Sequence, residues 1–160
     1  MIQQKTEFLD NLRKISPGMI MMWRDHTDKD NIQSWPESKP LNTLTKEELE
    51  QCNLRRQLPS EIIIDVEDKY RIDEIKKKLT DKNLSFEIWD TGSRGVHFSI
   101  KFTNLEHLDV QVRNRVRRYL IEEMNADKAL ANDNQPLALE YAKHFKTGKI
   151  KTLLEKVGFT

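Results

Sequence analysis

Two carboxylates, a histidine behind a glycine turn and a basic turn near the C-terminus are the residues of this 160-residue chain whose types and spacing could do chemistry. Asp65 and Glu67 end the apolar run Ile62-Ile63-Ile64, with Val66 between them. Alternate residues of a strand share a face, so both carboxylates project together, ~7 Å apart at about 3.3 Å rise per residue. Such a pair repels itself and is costly unless a proton or a cation compensates it. Hard oxygen donors on a rigid sheet suit Mg²⁺ or Mn²⁺, which bind through a few carboxylates plus substrate phosphates. The segment Gly92-Ser93-Arg94-Gly95-Val96-His97 offers backbone N–H groups, a guanidinium and an imidazole to phosphate oxygens. His144-Phe145-Lys146-Thr147-Gly148-Lys149 supplies further donors suited to a polyphosphate, and Lys143, Lys149 and Lys151 add positive field. Each feature alone has a plainer reading. An acidic pair is more often a solvated sheet face, and Gly-Ser-Arg-Gly and the basic segment are ordinary turns. Their joint occurrence is what points to a site.

The elements that must position these residues follow from periodicity. Residues 61–67 read as a buried strand by their β-branched content. Asp68 can cap a helix carrying Ile72, Ile75 and Leu79 at helical spacing. Residues 84–90 and 96–102 each alternate apolar and polar side chains around the turn 91–95, which places His97, Ser99 and Lys101 on one face. A long helix carries Leu108, Val112, Val116, Leu120 and Met124, and residues 137–142 read as a last strand before a basic tail. The order is β-α-β-β-α-β, an α+β fold of the ferredoxin-like or RRM-like type, with its first and third strands expected to be central neighbours. That order sets His97 beside Asp65 and Glu67 on the face opposite the helices. Residues 1–59 form a small, mainly helical N-terminal lobe, and residues 60–160 the RRM-like palm. In the lobe, Phe8, Leu9, Leu12 and Ile15 mark one helix, ended by Pro17-Gly18. A second is expected from Thr45 to about Leu58, with Thr45 and Glu48 as a capping box and Leu44 and Leu49 as a hydrophobic staple.

Composition narrows the classes. Lys and Arg total 27 against 26 Asp and Glu, so a nucleic-acid partner would have to be held by a local basic patch. Arg113, Arg115, Arg117 and Arg118 crowd one helix, although a solvated helix face is the commoner outcome for such a run. One cysteine, Cys52, excludes an internal disulfide framework and a cysteine-based zinc cluster. No apolar run approaches the ~20 residues of a membrane span, and a soluble, cytoplasmic protein is expected.

In order and spacing, Ile62-Ile63-Ile64-Asp65-Val66-Glu67, Ser93-Arg94-Gly95-Val96-His97 and His144-Phe145-Lys146-Thr147-Gly148 resemble the archaeo-eukaryotic primases and primase-polymerases across residues 60–150. That family's motifs are an apolar strand ending in Asp-x-Asp or Asp-x-Glu, a Ser/Gly-rich turn ending in a strand histidine, and a later single aspartate, with a His-x-Lys-Thr-Gly element after it in many members. The resemblance implies template-directed nucleotidyl transfer by two Mg²⁺ or Mn²⁺ ions, held by Asp65, Glu67 and a third aspartate. Asp127, 17 residues before His144, is the preferred third carboxylate; Asp133 is its rival, and Glu140 could stand in. The resemblance makes Ser93, Arg94, His97, His144 and Lys146 the residues that bind nucleotide phosphates. It also implies nucleoside triphosphates and a single-stranded DNA template as ligands, with a helicase or other replication subunit as a candidate partner. The chain departs from the family in lacking a zinc module and a helicase domain, which puts processivity and independent initiation in question. The alternatives are a non-catalytic RRM-like single-stranded nucleic-acid binder, which would need aromatics where Asp65, Glu67 and His97 stand, and a degenerate primase accessory subunit. A replication nickase would need a His-x-His pair, which the sequence does not contain. Trp89 could stack on a base or pack beneath the lobe, the latter favoured, and Trp23 and Trp35 stay unassigned.

Overall fold

The β-branched run at residues 61–67 and the alternation of apolar and polar side chains over residues 84–90 and 96–102 dictate a sheet with one greasy face. A computed structural model, which describes residues 1–28 and 30–158, has that sheet. The elements in chain order are α1 (Gln3–Ile15), β1 (Ile20–Met22), β2 (Arg24–Asp28), β3 (Asn31–Ser34), β4 (Lys39–Pro40), α2 (Lys46–Gln51), β5 (Leu54–Arg55), β6 (Glu61–Val66), α3 (Ile72–Asp81), β7 (Phe86–Asp90), β8 (Val96–Lys101), α4 (Val110–Glu123), β9 (Leu137–Ala138) and β10 (Thr152–Val157). The palm sheet runs β6-β8-β7-β10, antiparallel throughout. Ile62, Ile64 and Val66 of β6, Phe86 and Ile88 of β7, and Val96, Phe98 and Ile100 of β8 are buried with Ile75 and Leu79 of α3 and Leu120 and Ile121 of α4. Each such side chain contributes about 1.5–3 kcal/mol by leaving water, which fixes the register and therefore which residues face the other way.

The other face of the palm meets the lobe. Leu9 and Leu12 of α1 pack with Met19, Met21, Leu41, Cys52, Leu58, Leu139 and Ala142 in a second core. A small sheet, ordered β4-β1-β5-β9, lies in this half, and β2 and β3 form a separate hairpin. The lobe expected to be mainly helical thus also carries short strands.

The mixed α+β palm holds, with local corrections. Residues 137–142 are not the sheet's last strand. Only Leu137 and Ala138 are extended, and they pair with β5 in the lobe sheet. The fourth palm strand is β10, from the stretch read as a basic tail, and it pairs with β7. β6 and β8 are neighbours as expected, but β6 is an edge strand, so only β8 of that pair is central. The Thr45–Glu48 capping box forms, yet α2 ends at Gln51 instead of near Leu58, because β5 begins three residues later. Asp68 precedes a short 3₁₀ turn and makes no side-chain cap. On α4 the inward face is Arg113, Arg117, Leu120 and Ile121, while Leu108, Val112 and Val116 are more than a third exposed. Among the described residues no helix is long and apolar enough to cross a membrane.

Candidate active site

The polar face of β6 and β8 is where the sequence places its chemistry. Asp65 and His97 are direct partners across the two antiparallel strands, and His97 Nε2 stands 3.6 Å from Asp65 Oδ1. The strands can close this tightly because of Gly95. A Cβ there would stand 2.4 Å from the carbonyl oxygen of Val66 and 3.1 Å from Glu67 Cα, so a side chain would force the strand ends apart. The turn before it is built from its own side chains. Asp90 Oδ1 accepts from the Gly92 N–H (2.9 Å), and Thr91 Oγ1 accepts from the Ser93 N–H (3.3 Å). Gly92 sits at φ +83°, where other residues are strained. Its carbonyl accepts from Thr147 Oγ1 at 2.6 Å, which docks the turn 144–148 onto the turn 92–95.

A cleft of about 370 Å³ opens between these pieces. Seven of the eight residues singled out in the sequence line it: Asp65, Glu67, Ser93, Arg94, His97, His144 and Lys146. His144 stacks on Phe145 with ring centroids 4.7 Å apart, and its Nδ1 accepts from the Lys146 N–H at 3.1 Å. The imidazole is thereby held with Nε2 as its remaining nitrogen. Asp127, the eighth, does not line the cleft. It caps the 3₁₀ turn Lys128–Ala131, where Oδ1 accepts from the Ala129 N–H at 2.8 Å, but its charge reaches Asp65. Asp133 has other business. It pairs with Arg113 at 2.5 Å and with Arg117, a buried cation that also donates to the carbonyls of Leu58 and Glu61. Glu140 is likewise removed from any ligand role, buried against Arg55 and Lys151.

Electrostatics single out Asp65. Burial, then the charges of Asp127 and Glu67, push its carboxyl up to about 6, with only Lys151 pulling the other way. Three carboxylates thus repel one another here. Among the described residues no three histidine, cysteine or acidic side chains stand together closely enough to hold a metal ion. The donor chemistry nevertheless fits a hard divalent cation: all three are carboxylates, two already share the cleft, and Glu67 and Asp127 are exposed side chains able to rotate inward. A cation would relieve the repulsion that raises Asp65.

No family model matches the sequence, and no curated protein matches it. Comparison with solved structures gives likenesses that include the following two. One is the AEP domain of a primase-polymerase from cyanophage S-2L, with TM-score 0.69 and 16% identity over 97% of this chain and 91% of that one. The other is primase RepB', with TM-score 0.62 and 12% identity over 98% of this chain and 58% of that one. The chain has the primase-polymerase fold.

On this primase-polymerase fold, three residues that the motifs did not single out hold the site from beneath. Arg55 is fully buried, and it donates from Nη1 and Nη2 to both oxygens of Glu61 and from Nε and Nη2 to both oxygens of Glu140. Burial alone would raise the Glu140 carboxyl, but Arg55 and Lys151 outweigh it and hold it at about 2. Lys151, also buried, reaches His97 Nδ1 at 3.1 Å. The sequence offers Glu140 as a stand-in metal ligand and Lys151 as a source of positive field. A buried position for either has no periodic signature, since the partners lie 54 and 85 residues away along the chain. Trp89 packs beneath the lobe, edge-on to Phe8 (6.4 Å) and Tyr141 (5.2 Å), and is 4% exposed, so it offers no face to a base. Trp35 is likewise engaged, donating from Nε1 to Gln51.

Proposed function

We propose that this protein is a template-directed nucleotidyltransferase of the primase-polymerase type, extending or making primers on single-stranded DNA. The observation that carries the reading is the pairing of Asp65 with His97 across β6 and β8. It brings carboxylates and phosphate-type donors together in the lining of one cleft, and the fold likeness agrees with it. Asp65, Glu67 and Asp127 are the residues to hold Mg²⁺ or Mn²⁺. When bound, such ions lower the pKa of an attacking 3′-hydroxyl and neutralise the triphosphate. The chain's own residues do the rest. Ser93, Arg94 and the turn's N–H groups grip phosphate oxygens, Lys146 and His144 close on them from the opposite turn, and His97 donates from within. The 3′-oxygen forms its bond to the α-phosphorus as the α–β anhydride bond breaks. The hydroxyl proton goes to solvent, and pyrophosphate leaves.

A non-catalytic base-stacking domain fits less well. Its platform would need exposed aromatics on the sheet, and Trp89 is covered by α1. The test is extension of a labelled primer on a single-stranded template with nucleoside triphosphates and Mg²⁺ or Mn²⁺. Products that vanish with a chelator and in Asp65→Asn support the proposal. A folded wild-type protein that makes none under either metal overturns it.

A further inference from the structure

We infer that Lys151 is a positioning residue: it holds His97 as the tautomer protonated on Nε2, so that the imidazole offers an N–H, and no lone pair, to the anionic ligand of the cleft. The inference rests on the nucleotide-binding reading for the identity of that ligand, and on contacts alone for the tautomer.

Lys151 is 2% exposed, and its backbone is fixed between two hydrogen bonds: its carbonyl accepts from the Tyr141 N–H (2.9 Å), and its own N–H donates to Ala142 (3.1 Å). An ammonium has three N–H donors and no acceptor. Three acceptors surround Nζ: the Ala138 carbonyl at 2.9 Å, His97 Nδ1 at 3.1 Å and Glu140 Oε1 at 3.6 Å. Neither the carbonyl nor the carboxylate has a proton to give, and Glu140 stands as the counter-charge of the ammonium, so the lysine donates to Nδ1. A neutral imidazole that accepts at one nitrogen carries its proton on the other. The opposite side of the ring gives the same answer independently. Nε2 faces Asp65 Oδ1 at 3.6 Å, and a carboxylate favours an N–H over a lone pair in that direction. Arg55 anchors Glu140 through two hydrogen bonds, so the chain of contacts from the lobe to the cleft has no slack member.

The consequence is a division of labour. A ring donating from Nε2 binds a phosphate oxygen but cannot take a proton there, so His97 is a phosphate ligand and not a base. The residue that sets this lies outside every motif of the site.

The test uses the full chain labelled with ¹⁵N-histidine, at one pH near neutrality. Long-range ¹H–¹⁵N spectra report which ring nitrogen carries the proton, and comparison with His97→Gln assigns the resonances among the four histidines. Wild type should show Nδ1 bare and Nε2 protonated. Lys151→Met should lose that single pattern and bind Mg²⁺–dGTP roughly tenfold more weakly, the loss expected for one hydrogen bond. Lys151→Gln, which keeps an N–H donor, should restore the pattern and part of the affinity. A proton on Nδ1 in wild type, or an unchanged His97 pattern in a folded Lys151→Met, overturns the assignment. If Lys151→Met does not fold, the wild-type spectrum still decides. The expected tautomer without nucleotide binding by any form would sink the nucleotide reading and leave the Lys151–His97 contact standing.

Discussion

Asp65→Asn should make the metal-free protein more stable above pH 6 while removing its chemistry. The substitution keeps the side chain's shape and deletes its charge. In the folded chain the carboxyl is pushed from an ordinary 3.8 up to about 6, by burial first and then by Asp127 and Glu67. The folded state therefore binds more protons than the unfolded one between those values, and stability falls as pH rises through that window. At about 1.4 kcal/mol for each tenfold change in proton affinity, the full cost is roughly 3 kcal/mol. The side chain is 36% exposed, so solvent screening brings this to about 1–2 kcal/mol. Urea unfolding of both proteins in a chelator, at pH 4 and pH 8, measures it. The variant should match wild type at pH 4 and exceed it at pH 8. Saturating Mg²⁺ should then raise the stability of wild type more than that of the variant, since only a ligand of the folded state shifts the equilibrium. Equal stabilities at pH 8, or a more stable wild type there, would refute the picture of crowded, uncompensated carboxylates.

Three further outcomes follow from the same contacts. Arg55→Met strands Glu61 and Glu140 as buried carboxylates and should cost about 3–5 kcal/mol in urea denaturation; a cost below ~1 kcal/mol would mean that water already reaches them. Gly95→Ala drives a methyl into the Val66 carbonyl, so thermal melts should show a loss of about 1–3 kcal/mol together with weaker nucleotide binding, and an unperturbed melt would mean that the strand ends part freely. Asp127→Asn and Asp133→Asn should separate function from packing. The first should reduce nucleotide incorporation to background with at most about 1 kcal/mol lost from its cap, and the second should cost about 1–3 kcal/mol by unpairing Arg113 and Arg117 while activity per folded molecule persists. The reverse pattern would make Asp133 the third carboxylate.

The palm was legible where one face of an element is buried and the other is wet. Residues 96–100 announce their register by alternation and residues 62–66 announce a buried strand by their β-branched content, and pairing the two brings Asp65 opposite His97. The capping box at Thr45 was legible because its two partners are three residues apart. β10 was not legible: as an edge strand that buries little, Thr152–Val157 carries no alternating apolar pattern. Residues 137–142 misled for the opposite reason. Leu137, Leu139 and Ala142 are buried, but the last two lie in the lobe's core and not on the palm sheet, and Tyr141 at φ +61° breaks the extended run. On α4, charge disguised the inward face, since Arg113 and Arg117 are buried by carbonyls and a carboxylate that the sequence sets 5 to 59 residues away. The buried chain from Arg55 to His97 is invisible to periodicity for the same reason: only the fold brings residues 55, 61, 97, 140 and 151 together.

Incorporation on homopolymer templates tests the central claim most directly. A primer annealed beside each of four single-base templates is offered all four labelled nucleotides, one at a time, with Mn²⁺ or Mg²⁺. Incorporation of the complementary nucleotide alone on each template, lost in Asp65→Asn and His97→Ala, is the expected result. Incorporation indifferent to the template, or none by a protein that is folded and binds the metal, would contradict it.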